Sequence, residues 1–331
     1  EHTLELKGLP CSEQPPALSL FRQFSAPVHW EASQEPAELF TLLACDNDPF
    51  ARWDAGQQLW RRLLLARASG TPNADLEGQM LEALTKLLAP DGEQDSAVLS
   101  TLMAFPGGPE LEALQQEADP PALYRAACEL REQFGQSLAP LLRERLNGVA
   151  PDLALAWPEG QGQRQLTGLV WAWLAAAGDS AVRKAALAAV GGPSMTLARA
   201  ALRALQPLDC PEREEALRQF HDRWQEKPVI FDSWFALEAS TPRADGLQRV
   251  ASLLQHPRFD PMAPNAVRAV LGGFAGNLLV FHAEDGSGYR FMAEQIIALD
   301  QRNAITASRL AKVFSRWGTY SSKRQALVKA A

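Results

Sequence analysis

The sequence contains little of what a metal site or a disulfide framework needs. Among its 331 residues there are four cysteines and five histidines. The cysteines are isolated, the histidines are widely dispersed, and neither a Cys-x-x-Cys pair nor a His-Glu-x-x-His helix motif occurs. We therefore expect this chain to bind no metal, and we expect its thiols to be reduced, as is usual in a cytoplasmic protein.

The short motifs of several enzyme classes are also missing. There is no Gly-x-Ser-x-Gly nucleophile turn, no Walker loop and no dinucleotide-binding glycine fingerprint. The segment 286–288 (GSG) is the nearest approach to a phosphate loop, but no lysine follows it, and a turn that begins a helix explains it better. We predict no catalytic residue in this chain.

Long apolar runs and an excess of positive charge are absent as well. The longest apolar run, residues 169–177, is far too short to cross a bilayer. The 32 lysines and arginines are scattered among 39 aspartates and glutamates, which gives a formal net charge of −7. These features argue against a membrane span and against sequence-independent binding to nucleic acid.

What is present indicates a folded chain in two parts. Hydrophobic residues make up 47% of the sequence, enough for a large core. Residues 2–7, 17–21 and 27–30 have extended, strand-like patterns interrupted by glycine and proline. Because two or three strands do not form a stable sheet alone, we expect their partners to precede residue 1. We assign residues 1–33 to terminal strands and residues 34–331 to a helical domain.

From residue 35 onward the apolar period is helical. Antiparallel helices joined by short turns predict an all-α fold, an α-solenoid of degenerate HEAT or armadillo type rather than a closed bundle. Connectors such as 178–180 and 191–194 carry glycine and a polar residue that can cap the next helix. After a first pair at 36–43 and 49–67, the predicted helices are 75–88, 96–104, 121–146, 164–177, 180–190, 194–205, 212–225, 229–239, 244–255, 264–274, 287–300 and 304–317.

Unusual residues are densest between positions 261 and 289. Asn265 is placed to cap a helix on which Arg268 follows one turn later. His282 is either a buried, hydrogen-bonded structural residue, which composition alone favours, or a site residue. Arg309 lies near an apolar seam, where an arginine either pairs with a structural carboxylate, the commoner arrangement, or is offered to an anionic ligand.

These segments resemble the bacterial aminopeptidase N family of thermolysin-like zinc metallopeptidases. The most specific match is residues 281–289 (FHAEDGSGY), and the resemblance spans nearly the whole chain, although it is patchy between about 65 and 199. The other matching segments occur in the same order: 24–28 (FSAPV), 52–55 (RWDA), 234–237 (WFAL), 264–268 (PNAVR), 273–276 (GFAG), 307–310 (ASRL) and 323–325 (KRQ).

The resemblance implies that residues 1–33 end an Ig-like β-sandwich domain and that residues 34–331 form the C-terminal helical domain of a zinc aminopeptidase. The zinc would be bound by a catalytic domain upstream, and none by this chain. The implied partners are the upstream catalytic and β-sandwich domains and peptide substrates. By motif, Arg268 and Arg309 correspond to arginines that approach the substrate channel, and we add Asn265 and His282 as further candidates there.

Two hypotheses follow. In the first, the chain covers the active-site cleft of a cytoplasmic zinc aminopeptidase and lines its substrate channel. In the second, it is an independent α-solenoid that binds a protein partner and has no catalytic link. Convergence of Arg268 and Arg309 into one concave surface would favour the first. One departure from the family pattern is Ile305, which stands where some relatives have a polar residue.

Overall fold

The computed structural model describes residues 16–25, 34–148 and 158–331, and the regular structure in these ranges is helical. The α-helices of the described ranges are α1 (Pro36–Cys45), α2 (Pro49–Ala68), α3 (Ala74–Leu88), α4 (Ser96–Met103), α5 (Gly108–Ala113), α6 (Pro120–Ser137), α7 (Ala139–Gly148), α8 (Gln161–Ala176), α9 (Ser180–Val190), α10 (Met195–Leu205), α11 (Pro211–Trp224), α12 (Pro228–Ala239), α13 (Gly246–Leu253), α14 (Pro264–Val267), α15 (Gly273–Ala275), α16 (Leu278–Phe281), α17 (Ser287–Asp300), α18 (Ala304–Leu310) and α19 (Ser322–Ala330). A π-helix, Arg268–Gly272, joins α14 to α15, and short 3-10 helices occupy Arg22–Phe24, Ala311–Phe314 and Trp317–Thr319.

Polar caps set the starts of nine of these nineteen helices. In the first turn, backbone N–H groups have no partner within the helix, and a short polar side chain just before the helix accepts from them. Asp179, for example, accepts from the N–H groups of Ala181 and Val182 and begins α9 where the sequence predicts. The side chains that cap in this way are Asp48, Asn73, Asp95, Asp119, Asp179, Ser194, Asn277, Asn303 and Ser321.

Three predicted helices are divided in the structure, one of them 264–274, which the π-helix Arg268–Gly272 interrupts between α14 and α15. The segment 121–146 forms α6 and α7, because Pro140 has no N–H to continue the helical hydrogen bonds past Ser137. The segment 304–317 ends as an α-helix at Leu310 and tightens into the 3-10 helix Ala311–Phe314. Three short helices, α5, α16 and α19, were not predicted.

The strand-like opening is only partly covered by the described residues. Within 16–25 there is no strand, so the extended pattern at 17–21 does not form one there; the 3-10 helix Arg22–Phe24 follows instead. Arg22 bonds Asp46 at 2.7 Å, and the Gln23 N–H donates to Asp48 at 2.9 Å, which fixes this segment to the α1–α2 turn. The predicted strands at 2–7 and 27–30 lie outside the described residues, and the division at residue 33 stays a prediction.

Between α8 and α13 the chain forms a two-layer α-solenoid, which confirms the predicted fold class. In this stretch α8 packs on α10, α9 packs between α10 and α11, and α11 packs on α12. The first half adds α2, which packs on α4 and α6, and both α4 and α6 pack on α8. Their junction is an aromatic cluster in which Trp60 lies 4.8 Å from Phe105, 5.7 Å from Phe134 and 6.1 Å from Trp173, between ring centroids.

Residues 316–320, near the C-terminus, contact residues 109–118 in the first half of the chain. The Ala118 N–H donates to the carbonyl of Thr319 at 2.8 Å, and Ala118 forms an isolated parallel bridge with Tyr320. Arg316 donates to the carbonyl of Pro109 at 3.0 Å and lies 3.3 Å from the carboxylate of Glu112. The helical array is therefore closed between its C-terminal elements and the α5–α6 region.

A buried arginine holds α11 to the end of α12. Arg213, 1% exposed, donates to the carbonyl of Gln206 at 3.3 Å, to Glu214 at 2.7 Å and to the hydroxyl of Thr241. Burial raises the pKa of the nearby Glu238 carboxyl, and the charge of Arg213 opposes that rise. Arg213 thus balances a buried acidic group as well as bridging two helices.

We expect Arg213→Met to lower the free energy of unfolding by about 3 kcal/mol or more, because it removes one partner of a buried charge network. Arg218→Met is the matched control, since Arg218 lies on the same helix with 61% of its side chain exposed, and we expect it to cost less than about 0.5 kcal/mol. Urea unfolding followed by tryptophan fluorescence measures both. Equal losses for the two variants would contradict this description of Arg213.

Candidate functional site

The described residues enclose two adjoining cavities on one face of the solenoid. The first cavity, about 1010 Å³, is lined by α2, α4, α6, α8 and α10. The second cavity, about 740 Å³, is lined mainly by α10, α12 and the π-helix. The two share Tyr124, Arg203 and Pro207, and neither takes a lining residue from α9, α11 or α13. Alternate helices therefore form an inner layer facing one continuous concave surface.

Asn265 and Arg268 lie together on the wall of the second cavity. Helix α14 begins at Pro264 with Ala263 as its cap, so the prediction that Asn265 caps this helix is wrong. The Asn265 side-chain oxygen instead accepts a hydrogen bond from the Arg268 guanidinium. Both side chains are exposed to the cavity, and Arg268 has no other hydrogen bond to a described residue.

A glycine brings this segment close to α12. A Cβ atom added at Gly273 would lie 2.9 Å from the carbonyl oxygen of Ala236, so only glycine fits without displacing that backbone. This close approach sets Arg268 opposite Asp232 of α12, whose carboxyl pKa is raised by burial while the charge of Arg268 acts in the other direction.

Two further arginines on α10 line the second cavity, and sequence reasoning missed them. Arg199 and Arg203 are one turn apart and face the same cavity as Arg268. Desolvation lowers the pKa of Arg203, and the like charge of Arg199 lowers it further. Neither makes an ion pair with a residue in the described part of the chain. On a strongly amphipathic helix, the spacing of Arg199 and Arg203 is typical of an ordinary solvent-exposed face. Only the fold shows that they lie in the same cavity as Arg268.

His282 lies in the core, away from both cavities. It is 4% exposed, and its ring packs edge-on against Tyr320 at 5.2 Å between centroids. Its Nδ1 lies 2.7 Å from the Tyr289 hydroxyl, which also accepts from Arg324; because a guanidinium only donates, the hydroxyl proton is directed to Nδ1. The geometry is that of a buried structural histidine, the interpretation that composition favours, and gives no support to His282 as a channel residue.

Arg309 is exposed on α18 and lines neither cavity. It has no hydrogen bond or ion pair with any described residue, so the structural carboxylate that we considered for it is not found there. Helix α18 does pack beside the π-helix that carries Arg268. The two arginines thus lie on adjacent elements, but only Arg268 lines the second cavity.

No group of three or more His, Cys, Asp or Glu side chains in residues 16–25, 34–148 and 158–331 is arranged to hold a metal ion. No helix in these ranges is both long and apolar enough to cross a membrane. Zinc therefore has no fitting ligand set among the described residues, and we assign no chemical step to it here.

Comparison with known proteins places the chain in a family. Residues 36–331 match the family described as domain of unknown function (DUF3458_C) ARM repeats. The chain belongs to this family. The ARM-repeat description agrees with the two-layer solenoid of α8–α13 and with the sequence-based expectation of armadillo-like helix pairs.

The chain is also similar to curated aminopeptidases over nearly all of its length. It is 34% identical to aminopeptidase N of Caulobacter vibrioides over 335 residues and 33% identical to aminopeptidase N of Escherichia coli (strain K12) over 328 residues. Each match covers 96% of this chain but 37% of the relative. A crystal structure of Legionella pneumophila aminopeptidase A in complex with aspartic acid matches with a TM-score of 0.83 and 26% identity, covering 94% of this chain and 38% of that one.

The environment of His282 makes stability depend on pH. Burial, and to a lesser extent the charge of Arg324, lowers the pKa of His282 to about 3 from an ordinary value of 6.5. At pH values between these two pKa values, His282 is protonated in the unfolded chain and neutral in the folded chain. The free energy of unfolding should therefore fall on acidification from pH 6.5 toward pH 3, with His282 contributing up to about 1.4 kcal/mol per pH unit.

His282→Gln should remove this contribution. We expect its unfolding free energy, measured in urea at pH 7, 6, 5 and 4, to fall less steeply than that of the unsubstituted chain. The comparison is between the two slopes, since the variant also loses packing and starts from a lower stability. Parallel slopes would show that His282 titrates normally in the folded protein.

Proposed function

We propose that this chain is the helical cover of a zinc-dependent aminopeptidase, lining the channel through which peptides reach an active site formed by another part of the same protein. The proposal is carried by one observation: the similarity to aminopeptidase N extends over 96% of this chain and 37% of the relative's length. A concave inner surface with a concentration of positive charge supports it. Zinc binding, peptide hydrolysis and a cytoplasmic location belong to the proposal.

Within this proposal the second cavity contacts the peptide. The Arg268 guanidinium offers parallel N–H donors to a backbone carbonyl or carboxylate, and Asn265 orients it by accepting one of its hydrogen bonds. Arg199 and Arg203 add positive potential from the facing helix. If the channel continues past α18, Arg309 contacts the peptide as well. His282 acts from the core, by supporting the segment that follows α16.

The first test uses the complete enzyme. We expect Arg268→Gln to raise KM for peptides about tenfold and to leave kcat nearly unchanged, because a charge-assisted contact would be lost equally from bound substrate and transition state. Arg309→Gln should share the effect if both arginines face the channel. Arg218→Gln, on outer helix α11, is the control and should change neither constant. A fall in kcat at constant KM for Arg268→Gln would contradict a binding role.

A second test uses this chain alone. We expect the purified chain to show no turnover of a fluorogenic alanyl substrate, with or without added zinc, because the described residues provide no metal ligands for hydrolysis. Turnover that copurifies with the chain and is abolished only by substitutions in it would defeat the proposal. Tight capture of an unrelated folded protein on the concave face, with no effect on peptide hydrolysis, would instead favour an independent scaffold.

A further inference from the structure

We propose that Arg131 is the receptor of a carboxylate-binding site in the first cavity. Arg131 lies on α6 and lines this cavity, with its guanidinium carbon 5.3 Å from the centroid of the Phe105 ring. It forms no hydrogen bond and no ion pair with any residue that the structure describes. A half-buried guanidinium without a carboxylate partner is unusual, since such groups are normally neutralised.

The aromatic core fixes the Phe105 ring that lies beneath the Arg131 guanidinium. Phe105 packs 4.8 Å from Trp60 and 5.7 Å from Trp173, so the ring beneath the guanidinium is anchored in the aromatic cluster. The backbone just before Phe105 is held by Trp60 Nε1, which donates to the Leu102 carbonyl at 3.0 Å, and by Gln57 Nε2, which donates to the Ala104 carbonyl at 2.9 Å. The cation is thus presented on a rigid platform.

Neighbouring groups on α6 supply neutral polar atoms. Tyr124 and Cys128 precede Arg131 by two turns and one turn, line the same cavity and hydrogen-bond to each other. Desolvation lowers the pKa of Arg131, Cys128 and Tyr124 act in the other direction, and no described carboxylate forms an ion pair with it. A bound anion would supply the missing counter-charge.

Charged side chains of both signs line the first cavity around Arg131. Glu110 and Glu132 also line it; Glu110 is paired with Arg61 at 2.5 Å, and Glu132 accepts a hydrogen bond from Gln136 at 3.2 Å. Arg164, another lining residue, donates to the Glu159 carbonyl at 3.0 Å. Arg131, Arg164 and Arg203 line this cavity without an ion pair to a described residue, and the planar fork of the Arg131 guanidinium matches the two oxygens of a carboxylate.

The wall of the cavity is apolar next to Arg131. Ala104 precedes Phe105, and Leu169, Ala172 and Ala176 of α8 line the cavity at helical spacing. A ligand bound through its carboxylate would rest its carbon skeleton on this surface. The ligand class is therefore a carboxylate with an apolar body, either a free acid or the C-terminal residue of a peptide. The inference does not rest on the proposed function, because binding is measured on this chain without any hydrolysis.

Calorimetric titration with three probes tests the site and distinguishes the two sources. The probes are phenylacetate, an N-acetylated tetrapeptide ending in phenylalanine, and the C-terminal amide of that peptide. We expect at least one acid to bind, and Arg131→Gln to weaken it by about ten- to hundredfold. The amide should bind more weakly than its acid by a similar factor. Tighter binding of the peptide acid identifies a peptide end, and tighter binding of phenylacetate a free acid.

Controls use the same helix. Arg125→Gln changes an exposed arginine of α6 that lines neither cavity and should leave binding unchanged. Arg131→Lys keeps the positive charge but loses the planar fork, and its affinity for the acid should lie between those of the unsubstituted chain and Arg131→Gln. Equal binding of the peptide acid and its amide, full binding by Arg131→Gln, or stronger binding of inorganic phosphate than of either acid would overturn the proposal. So would the absence of saturable binding by both acids.

A measurement on the unsubstituted chain covers the case in which Arg131→Gln does not fold. Phenylglyoxal modifies accessible guanidinium groups, and peptide mass spectrometry reports each site separately. The acid that binds should protect Arg131 and leave Arg125 reactive, whereas the amide should protect neither. Equal modification of Arg131 with and without the acids would overturn the site independently of any variant.

Discussion

Arg324 connects the last helix of the chain to two distant parts of the fold. It donates to the carbonyl of His282, hydrogen-bonds the Tyr289 hydroxyl and lies 3.7 Å from Asp119, the cap of α6. Only 13% of its side chain is exposed, so these contacts are made largely out of water. An open solenoid has no such constraint. Here the closure sets the curvature of the inner layer and with it the concave surface.

Charge is distributed differently on the two sides of this surface. On the outer helices some arginines pair with carboxylates, as Arg218 does with Glu215 and Asp222, and others donate to backbone carbonyls, as Arg223 does. Among described residues, the cavity-lining arginines have no carboxylate within ion-pair distance; they are Arg131, Arg164, Arg199, Arg203 and Arg268. Under the proposed function, these guanidinium groups would meet negative or carbonyl groups of a ligand.

Local structure could be predicted from the sequence, and long-range structure could not. Helices such as α9 and α17 follow from apolar period and capping residues that act within one or two turns, as at Asp179. The break before α7 depends on Pro140, a helix-breaking residue inside the continuous apolar period that predicted a single helix at 121–146. The contact of Ala118 with Thr319 joins residues about two hundred positions apart, and no local pattern encodes it. The same holds for the site: a motif pointed to Asn265 and Arg268, whereas the unpaired state of Arg131 depends on which helices surround it.

The concave surface depends on the contact between the C-terminal elements and the α5–α6 region. The distance between these two regions tests that contact most directly. Glu117, just before α6, and Ala326, on α19, are both exposed and accept spin labels introduced as unnatural amino acids, so that the native cysteines need not be changed. Double electron–electron resonance on the purified chain should give one narrow distance distribution. A broad distribution, or a second population at long distance, would mean that the C-terminal helices separate from α5–α6 and that the concave surface is not fixed by the fold.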